Sequence, residues 1–503
     1  MTTHQIDAGA PAQPGRDGGP GGKGLHRDSV GLLAAITLGL ASVAPAYSIA
    51  VTLGLVTLVV GHLAPAALLM GFVPILLTAF AFRELNREMP DCGTNFVWNT
   101  RAFGPYLGWM SGGWVPTIAT LIAVTALSQV GATYLLNLLG LHSLAGDTTA
   151  VAATGVLLLA AVTAIGYCGV QIAASVQYIL LALQLLGLLG FGAVALLRHG
   201  AATPSFGWLN PFGFGGFGPF AEAVLLCLFI YWGWDALLSV NEETRDRTRV
   251  PGQAAVISTL ILLGTYVFTA VAAISFAGTG DTGIGLGNAD NAGDILATLG
   301  GPVLGTALAK VVELAVCVSA VSALLTCVVT TPRGTLSMAA HGALPRAFAR
   351  IHPRFRTPGL GTIIFSAASA TLLVLLSIAS KNFLGDLVLS IGLLIACYYG
   401  ITALTCAWYF RKTLRESPRN LLVRGVMPLA GGLIMLSAFA RSVHDMIDPA
   451  YGTTSFHGIG GVFLIGVGSI VLGLPLMLIV RSRHRPFFRD GRTTVADLTI
   501  SES

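Results

Sequence analysis

Charge is scarce in this chain. Only 10% of its 503 residues are charged, 28 of them basic and 23 acidic, where a soluble protein carries roughly a quarter. So few charges cannot cover a soluble surface of this size, which excludes a soluble multi-domain enzyme. Paired cysteines are missing too. Cys92, Cys168, Cys227, Cys317, Cys327, Cys397 and Cys406 are scattered without a CxxC spacing, so no metal or redox centre of that type is expected. No histidine lies well inside a long apolar run, which argues against a histidine relay. Alternating segments of about ten residues, the mark of a membrane barrel, are absent. The N-terminal stretch to about Gly24 is rich in Gly and Pro and has no apolar centre, so it reads as neither a cleavable signal nor a folded domain.

What the chain has in abundance is apolar length. Hydrophobic residues make up 54% of it and the mean hydropathy is +0.77. A bilayer core of about 30 Å needs about 20 helical residues. Twelve runs qualify, near 30–58, 64–82, 104–137, 148–166, 172–197, 220–242, 253–276, 302–330, 359–379, 384–409, 426–444 and 458–480. The fold class expected is an all-α integral membrane protein. The first and third runs exceed one crossing, so each must tilt, break or end in an interfacial turn.

The basic residues orient the chain. With the N-terminus in the cytoplasm, 24 of the 28 Lys and Arg residues fall on the cytoplasmic side, and only Arg198, Lys310, Lys381 and Arg441 fall on or near the other. That asymmetry places both termini in the cytoplasm of a cell (inner) membrane protein with an even number of spans. Basic loops against anionic inner-leaflet lipid account for the net +5, so nucleic acid is not called for.

Two spans are irregular. The first reads Gly39-Leu40-Ala41-Ser42-Val43-Ala44-Pro45-Ala46-Tyr47-Ser48 at its centre. Pro45 removes a backbone N–H and crowds the preceding turn, and Ser42 and Ser48 can bond to groups so freed. The bland alternative is a proline kink. The sixth reads Phe229-Ile230-Tyr231-Trp232-Gly233-Trp234-Asp235. An isolated carboxylate at mid-membrane costs about 2.5–3.5 kcal/mol on insertion scales, so it should face a cavity or a partner. Aromatics, Gly and an acid together favour a binding site over plain packing. Corresponding broken helices in two five-span halves mark an inverted-repeat transporter, about 29–197 and 220–409 here, with extra helices at about 426–480. The twelve-helix domain then spans 29–480, between a disordered cytoplasmic tail, 1–28, and a second tail, 481–503. Half-helix N-termini attract a carboxylate and free carbonyls accept from an ammonium, so a zwitterionic amino acid fits such a break.

Three stretches resemble the amino acid–polyamine–organocation (APC) superfamily of permeases. Arg83-Glu84-Leu85 through Pro90-Asp91-Cys92-Gly93-Thr94 to Arg101-Ala102-Phe103-Gly104-Pro105-Tyr106-Leu107-Gly108-Trp109 is similar to the family's loop between helices two and three. Phe229 to Asp235, with Asn241-Glu242-Glu243-Thr244-Arg245-Asp246 and Arg249-Val250-Pro251, resembles its broken sixth helix and the loop after it. Thr331-Pro332-Arg333 to Met338, Gly342-Ala343-Leu344-Pro345 and His352-Pro353-Arg354 to Thr357-Pro358 resemble the loop after helix eight. The resemblance implies twelve helices in a five-plus-five inverted repeat of the LeuT-like kind, helices one and six broken, and secondary transport by alternating access. It places Ser42, Ala44, Ala46, Tyr47, Phe229, Tyr231, Trp232 and Gly233 at the substrate. Ser42 to Tyr47 stands where the family usually has a Gly-Ser-Gly-Ile type break. Some proton-driven relatives carry a lysine in helix five; here that helix, beginning Gln171 to Gln177, has none.

For proton coupling the acids inside spans are Glu222, Asp235 and Glu313. Asp235 is the first choice and Glu313 the second, although Glu313 follows Lys310 by three residues and the two can neutralise each other. Trp109 and Trp114 read as packing or interface aromatics, and Glu242 and Glu243 beside Arg245 as a salt-bridge cluster able to latch an inward gate. A membrane enzyme should show clustered catalytic groups at the bilayer surface, and none is found. The function expected is amino acid transport by proton symport or exchange; the alternative is import of a polyamine or organic cation. No cofactor, metal or obligatory protein partner is called for, only a small-molecule substrate and the bilayer.

Overall fold

A computed structural model describes residues 23–198, 200–379 and 383–490. Apart from one two-residue hairpin, Ser455–Phe456 with Ile459–Gly460, the regular structure described is helical. Eleven segments are long and apolar enough to cross a membrane. The first, Leu32–Glu88, has 57 residues, and its two ends lie together: Val30 pairs with Thr244, and the Asn86 amide donates to the Arg247 carbonyl at 3.0 Å. It therefore runs across and back, turning at Gly61.

The spans are α1 (Leu32–Val43 and Pro45–Val60), α2 (Ala64–Glu88), α3 (Pro105–Leu138), α4 (Thr148–Tyr167), α5 (Val170–Leu197) and α6 (Phe217–Ile230, then Trp234–Glu243). The rest are α7 (Val250–Ala277), α8 (Thr306–Ala340), α9 (Gly359–Ala379), α10 (Phe383–Tyr409), α11 (Pro418–Asp445) and α12 (Gly461–Arg483). A short helix, Asn95–Phe103, links α2 to α3.

Burial sorts the spans into layers. The most apolar stretch of α8 is 78% buried by the protein itself, that of α12 only 17%. With α1, α2, α3, α6 and α10, α8 forms the centre, while α4, α9, α11 and α12 turn apolar side chains outward. The central helices bury hydroxyls because each can bond to its own preceding turn. Thr57 donates to Leu53, Thr78 to Pro74, Ser128 to Val124 and Thr330 to Thr326.

One end of the bundle carries most of the basic loops. There Glu84 of α2, almost fully buried, takes Arg424 Nε at 2.8 Å and Arg419 Nη2 at 3.2 Å, tying α2 to α11. At the other end Arg198 donates to Pro302 and Lys310 to Leu138. Most of the expected N-terminal tail lies outside the described residues, but its last part is not free. Lys23 is buried, and the Ser29 and Val30 amides both donate to the Glu243 carbonyl. The second expected tail begins with a docked helix, Arg485–Asp490, whose Phe487 stacks on Phe96 at 5.6 Å. Residues 491–503 lie outside the described part.

Candidate functional site

Both irregular spans are interrupted where their residues demand it. The α1 helix stops at Val43; Ala44 takes a left-handed conformation (φ 52°, ψ 65°) and Pro45 starts the second half. Pro45 has no N–H to give, and its fixed φ suits a first helical turn. Ser48 Oγ donates to the Val43 carbonyl at 2.7 Å, taking up one acceptor left by the break. In α6 the helix ends at Ile230, and Gly233 (φ 113°) lets the chain resume as a tighter 3-10 helix from Trp234.

The two breaks touch. Ser42 Oγ donates to the Gly233 carbonyl, and a Cβ on Gly233 would lie 2.8 Å from the Ser42 carbonyl oxygen. Around this contact lies a cavity of about 80 Å³. Ser42, Trp232, Gly233, Asp235, Ser239, Thr117, Thr120, Cys327, Thr330 and Tyr398 are among the residues lining it. Asp235 is the one charged side chain in that lining. Its Oδ1 accepts from Tyr399 at 2.8 Å and its Oδ2 from Tyr398 at 3.2 Å. Tyr398 also accepts from the Trp232 indole N–H at 2.5 Å. A smaller, apolar void of about 20 Å³ adjoins, between Ser42, Val43, Ala44, Tyr47, Ala123, Ala126, Leu127, Phe229, Trp232 and Ile391. A third cavity of about 400 Å³, mostly apolar, lies beyond Tyr47 and Phe229, towards Met446 and Thr453 of the α11–α12 connection.

The structure thus gathers Ser42, Ala44, Tyr47, Phe229, Trp232, Gly233 and Asp235 about these three cavities. Ala46 and Tyr231 line none of them. Ala46 is fully buried. The Tyr231 side chain points to α2 and α7, its hydroxyl donating to the Leu68 carbonyl at 3.1 Å and its ring packed on Phe72 and Tyr266. Consecutive side chains leave a helix about 100° apart, so neighbours Tyr231 and Trp232 take different faces. Glu313 is remote as well. It lies 14 residues before Cys327 on α8, about 21 Å along a helix, and its Oε2 is buried without a partner. Lys310 bonds to the Leu138 carbonyl and forms no ion pair with Glu313 among the described residues. Glu222 lies near Tyr451 and lines none of the three cavities.

Beside the first cavity, at the basic end, Glu242 and Glu243 do enter ion pairs, but with partners the sequence pattern did not reveal. Lys23 reaches Asp91 Oδ2 at 2.8 Å and also pairs with Glu242. Asp91 further accepts from Ser337 at 2.6 Å and lies 3.1 Å from His341 Nε2. Glu243 forms a two-point ion pair with Arg333, one contact at 3.0 Å, with both side chains buried. The expected partner, Arg245, instead donates to the Asp28 carbonyl. Burial opposes the charge on Asp91, but Lys23 and His341 outweigh it and hold the carboxyl well below the usual range. Burial likewise opposes the Lys23 charge, and its acidic neighbours, Asp91 and Glu242, carry it above the ordinary lysine value. Asp91, Cys92 and Glu242 bring three metal-ligand atoms within 4.8 Å of one another, but the Lys23 ammonium already supplies their cation.

On α5, Gln177 donates to the Ser322 carbonyl at 2.7 Å and to Thr326 at 2.8 Å, a neutral bridge to α8. Trp109 and Trp114 stack with parallel rings 6.3 Å apart and bond to the Ala343 and Ser469 carbonyls, as packing aromatics do.

The profile of the amino acid permease family matches residues 30–471. An uncharacterised transporter of Mycobacterium tuberculosis is 26% identical over 485 residues, covering 91% of this chain and 93% of that protein. A branched-chain amino acid permease of Bacillus subtilis is 25% identical over 382 residues, 72% of this chain and 77% of that one. Among solved structures, the transporter MhsT in complex with L-phenylalanine superposes with a TM-score of 0.58 at 16% identity, over 82% of this chain and 98% of that one. That likeness is one of fold.

Proposed function

The chain belongs to the amino acid permease family of the APC superfamily, and on that premise we propose that it carries an amino acid across the cell membrane by alternating access, with proton symport or exchange as the driving process. Both termini and the basic end face the cytoplasm. The observation that carries the reading is the contact of two broken helices at Ser42 and Gly233, beside a cavity whose lining holds one charge, Asp235. The N-terminus of Pro45–Val60 offers its positive end to a substrate carboxylate, and carbonyls at the ends of Leu32–Val43 and Phe217–Ile230 accept from the ammonium. A zwitterion adds no net charge, so it leaves Asp235 uncompensated, and a proton supplies the balance. Asp235 is accordingly the proton-coupling group.

In this state the passage is shut on the cytoplasmic side by the pairs Lys23–Asp91–Glu242 and Glu243–Arg333, while the 400 Å³ cavity lies on the outer side of Tyr47 and Phe229. Inward opening requires these pairs to part and the outer aromatics to close. The five-plus-five repeat, residues 29–197 and 220–409, is the frame for that exchange.

The lone Asp235 also favours a second reading, in which a polyamine or other organic cation brings the positive charge itself and Trp232 faces it. A ligand that binds the folded state raises its melting temperature, which separates the two. With a panel of L-amino acids and putrescine, stabilisation by an amino acid supports the first reading. Stabilisation by diamines alone supports the second.

A further inference from the structure

The two tyrosines on Asp235 have different second partners. Tyr399 packs on Phe82 and Trp234 at 5.4 and 5.5 Å, and its hydroxyl donates to the carboxylate while also meeting the Gly233 backbone and the Tyr398 hydroxyl. The Tyr398 hydroxyl stands between two groups, accepting from Trp232 and donating to Asp235 Oδ2. Nor are the neighbouring tryptophans alike. Trp234 is fully buried, whereas Trp232 is partly exposed and lines both the polar cavity and the apolar void beside it. Trp232 has room to move, and its indole N–H is held by one hydroxyl.

We infer that Tyr398 is a positioning residue that ties the place of Trp232 in the cavity to the protonation of Asp235. The inference rests on the reading above that Asp235 carries the proton.

While Asp235 is ionised, Tyr398 donates its proton to Oδ2 and its oxygen is free to accept from Trp232. When a proton from water adds to Oδ2, that oxygen becomes a donor. Its O–H then competes with the indole for the phenol oxygen, and the Tyr398 O–H must find another acceptor. Tyr399 keeps Oδ1 throughout, so the carboxyl stays in place while the hold on Trp232 weakens. One proton moves and no other bond changes. The titratable groups facing Asp235 are Tyr398 and Tyr399 of α10 and Cys327 of α8. The cavity walls from α1 and α3 present Ser42, Pro116, Thr117 and Thr120, so no second charge intervenes.

The test needs no substrate, because the proton is the probe. The fluorescence of Trp232, isolated in the full-length protein by subtracting a Trp232→Phe variant, is followed as the pH is lowered from neutral. A pH-dependent signal is expected in the unaltered protein and in Tyr399→Phe, and its loss in Tyr398→Phe. A full signal in Tyr398→Phe overturns the relay. Coupling is reciprocal, which gives a second measurement should Tyr398→Phe fail to fold. The infrared carboxyl band that Asp235→Asn abolishes must appear at a different pH in Trp232→Phe; an unmoved band overturns the relay. The premise fails separately. If Asp235→Asn still accumulates substrate down a pH gradient, Asp235 is not the coupling group, and the relay falls with it. If that variant has lost accumulation while Tyr398→Phe keeps the full signal, the relay alone is wrong.

Discussion

Ser42 and Gly233 join the two interrupted helices: the serine hydroxyl donates to the glycine carbonyl, and the glycine lies so near the serine backbone that a side chain has no place there. The join lies beside the one charged residue lining the cavity, so under the proposed function the point where the helices hinge coincides with the substrate site.

Gly233→Ala is therefore expected to damage folding and transport together. The left-handed φ alone costs about 1–3 kcal/mol for a residue with a side chain, and the 2.8 Å approach to Ser42 adds to it. Ser42→Ala removes one hydrogen bond, worth about 1 kcal/mol, and should be the milder change. Thermal denaturation of both variants checks the order; a Gly233→Ala protein as stable as wild type contradicts the close contact.

Asp235→Asn should leave substrate binding intact and abolish accumulation driven by a pH gradient, because the amide offers no site for the proton. Binding measured by thermal shift, set against uptake with and without a gradient, gives the comparison. Undiminished gradient-driven uptake would remove Asp235 from the mechanism.

Trp232→Ala is expected to weaken substrate binding by about fivefold or more, the loss of roughly 1–3 kcal/mol of aromatic contact. Trp234→Ala, in contrast, should cost about 3–5 kcal/mol of stability as a buried truncation. Equal binding by wild type and Trp232→Ala would mean that Trp232 only packs.

Lys23→Ala should loosen the latch proposed at the basic end and expose Cys92. In the closed state burial, with Glu242 beside it, holds the Cys92 thiol well above its ordinary value, so it is protonated and unreactive. Maleimide labelling of Cys92 is expected to be slow in the unaltered protein and faster in Lys23→Ala. The pH dependence follows from the two shifts. Asp91 is held low, so its contribution is present above the usual aspartate range and is lost as the pH falls through its lowered value. Lys23 is held high, so its contribution is present below the usual lysine range and is lost as the pH rises through its raised value. Labelling of Cys92 as slow in Lys23→Ala as in the unaltered protein, compared at one pH, would contradict the latch.

Some of this was legible in the sequence, and the reasons differ residue by residue. Pro45 and Gly233 disclose the breaks because proline and glycine have backbone constraints that do not depend on the rest of the fold. Asp235 stands out because a carboxylate in an apolar run is costly wherever the run packs. The Tyr398–Tyr399 pair carried no such mark; two tyrosines in an apolar helix read as packing until Asp235, more than 160 residues earlier, is seen to meet them. Lys23 was hidden by its setting, a Gly- and Pro-rich stretch whose composition suggests a free tail. Glu243 found Arg333 rather than Arg245, since tertiary packing chose among several nearby arginines. Tyr231 illustrates the reverse, a residue that belongs to the motif and yet turns its side chain away from the cavity.

The most direct measurement is uptake into proteoliposomes loaded with the purified full-length protein, with a panel of radiolabelled L-amino acids and putrescine and the outside made acid. At least one amino acid should accumulate above equilibrium, with accumulation lost on collapsing the pH gradient or in Asp235→Asn unless unlabelled amino acid inside drives exchange. Transport of putrescine with no uptake or exchange of any amino acid would contradict the account.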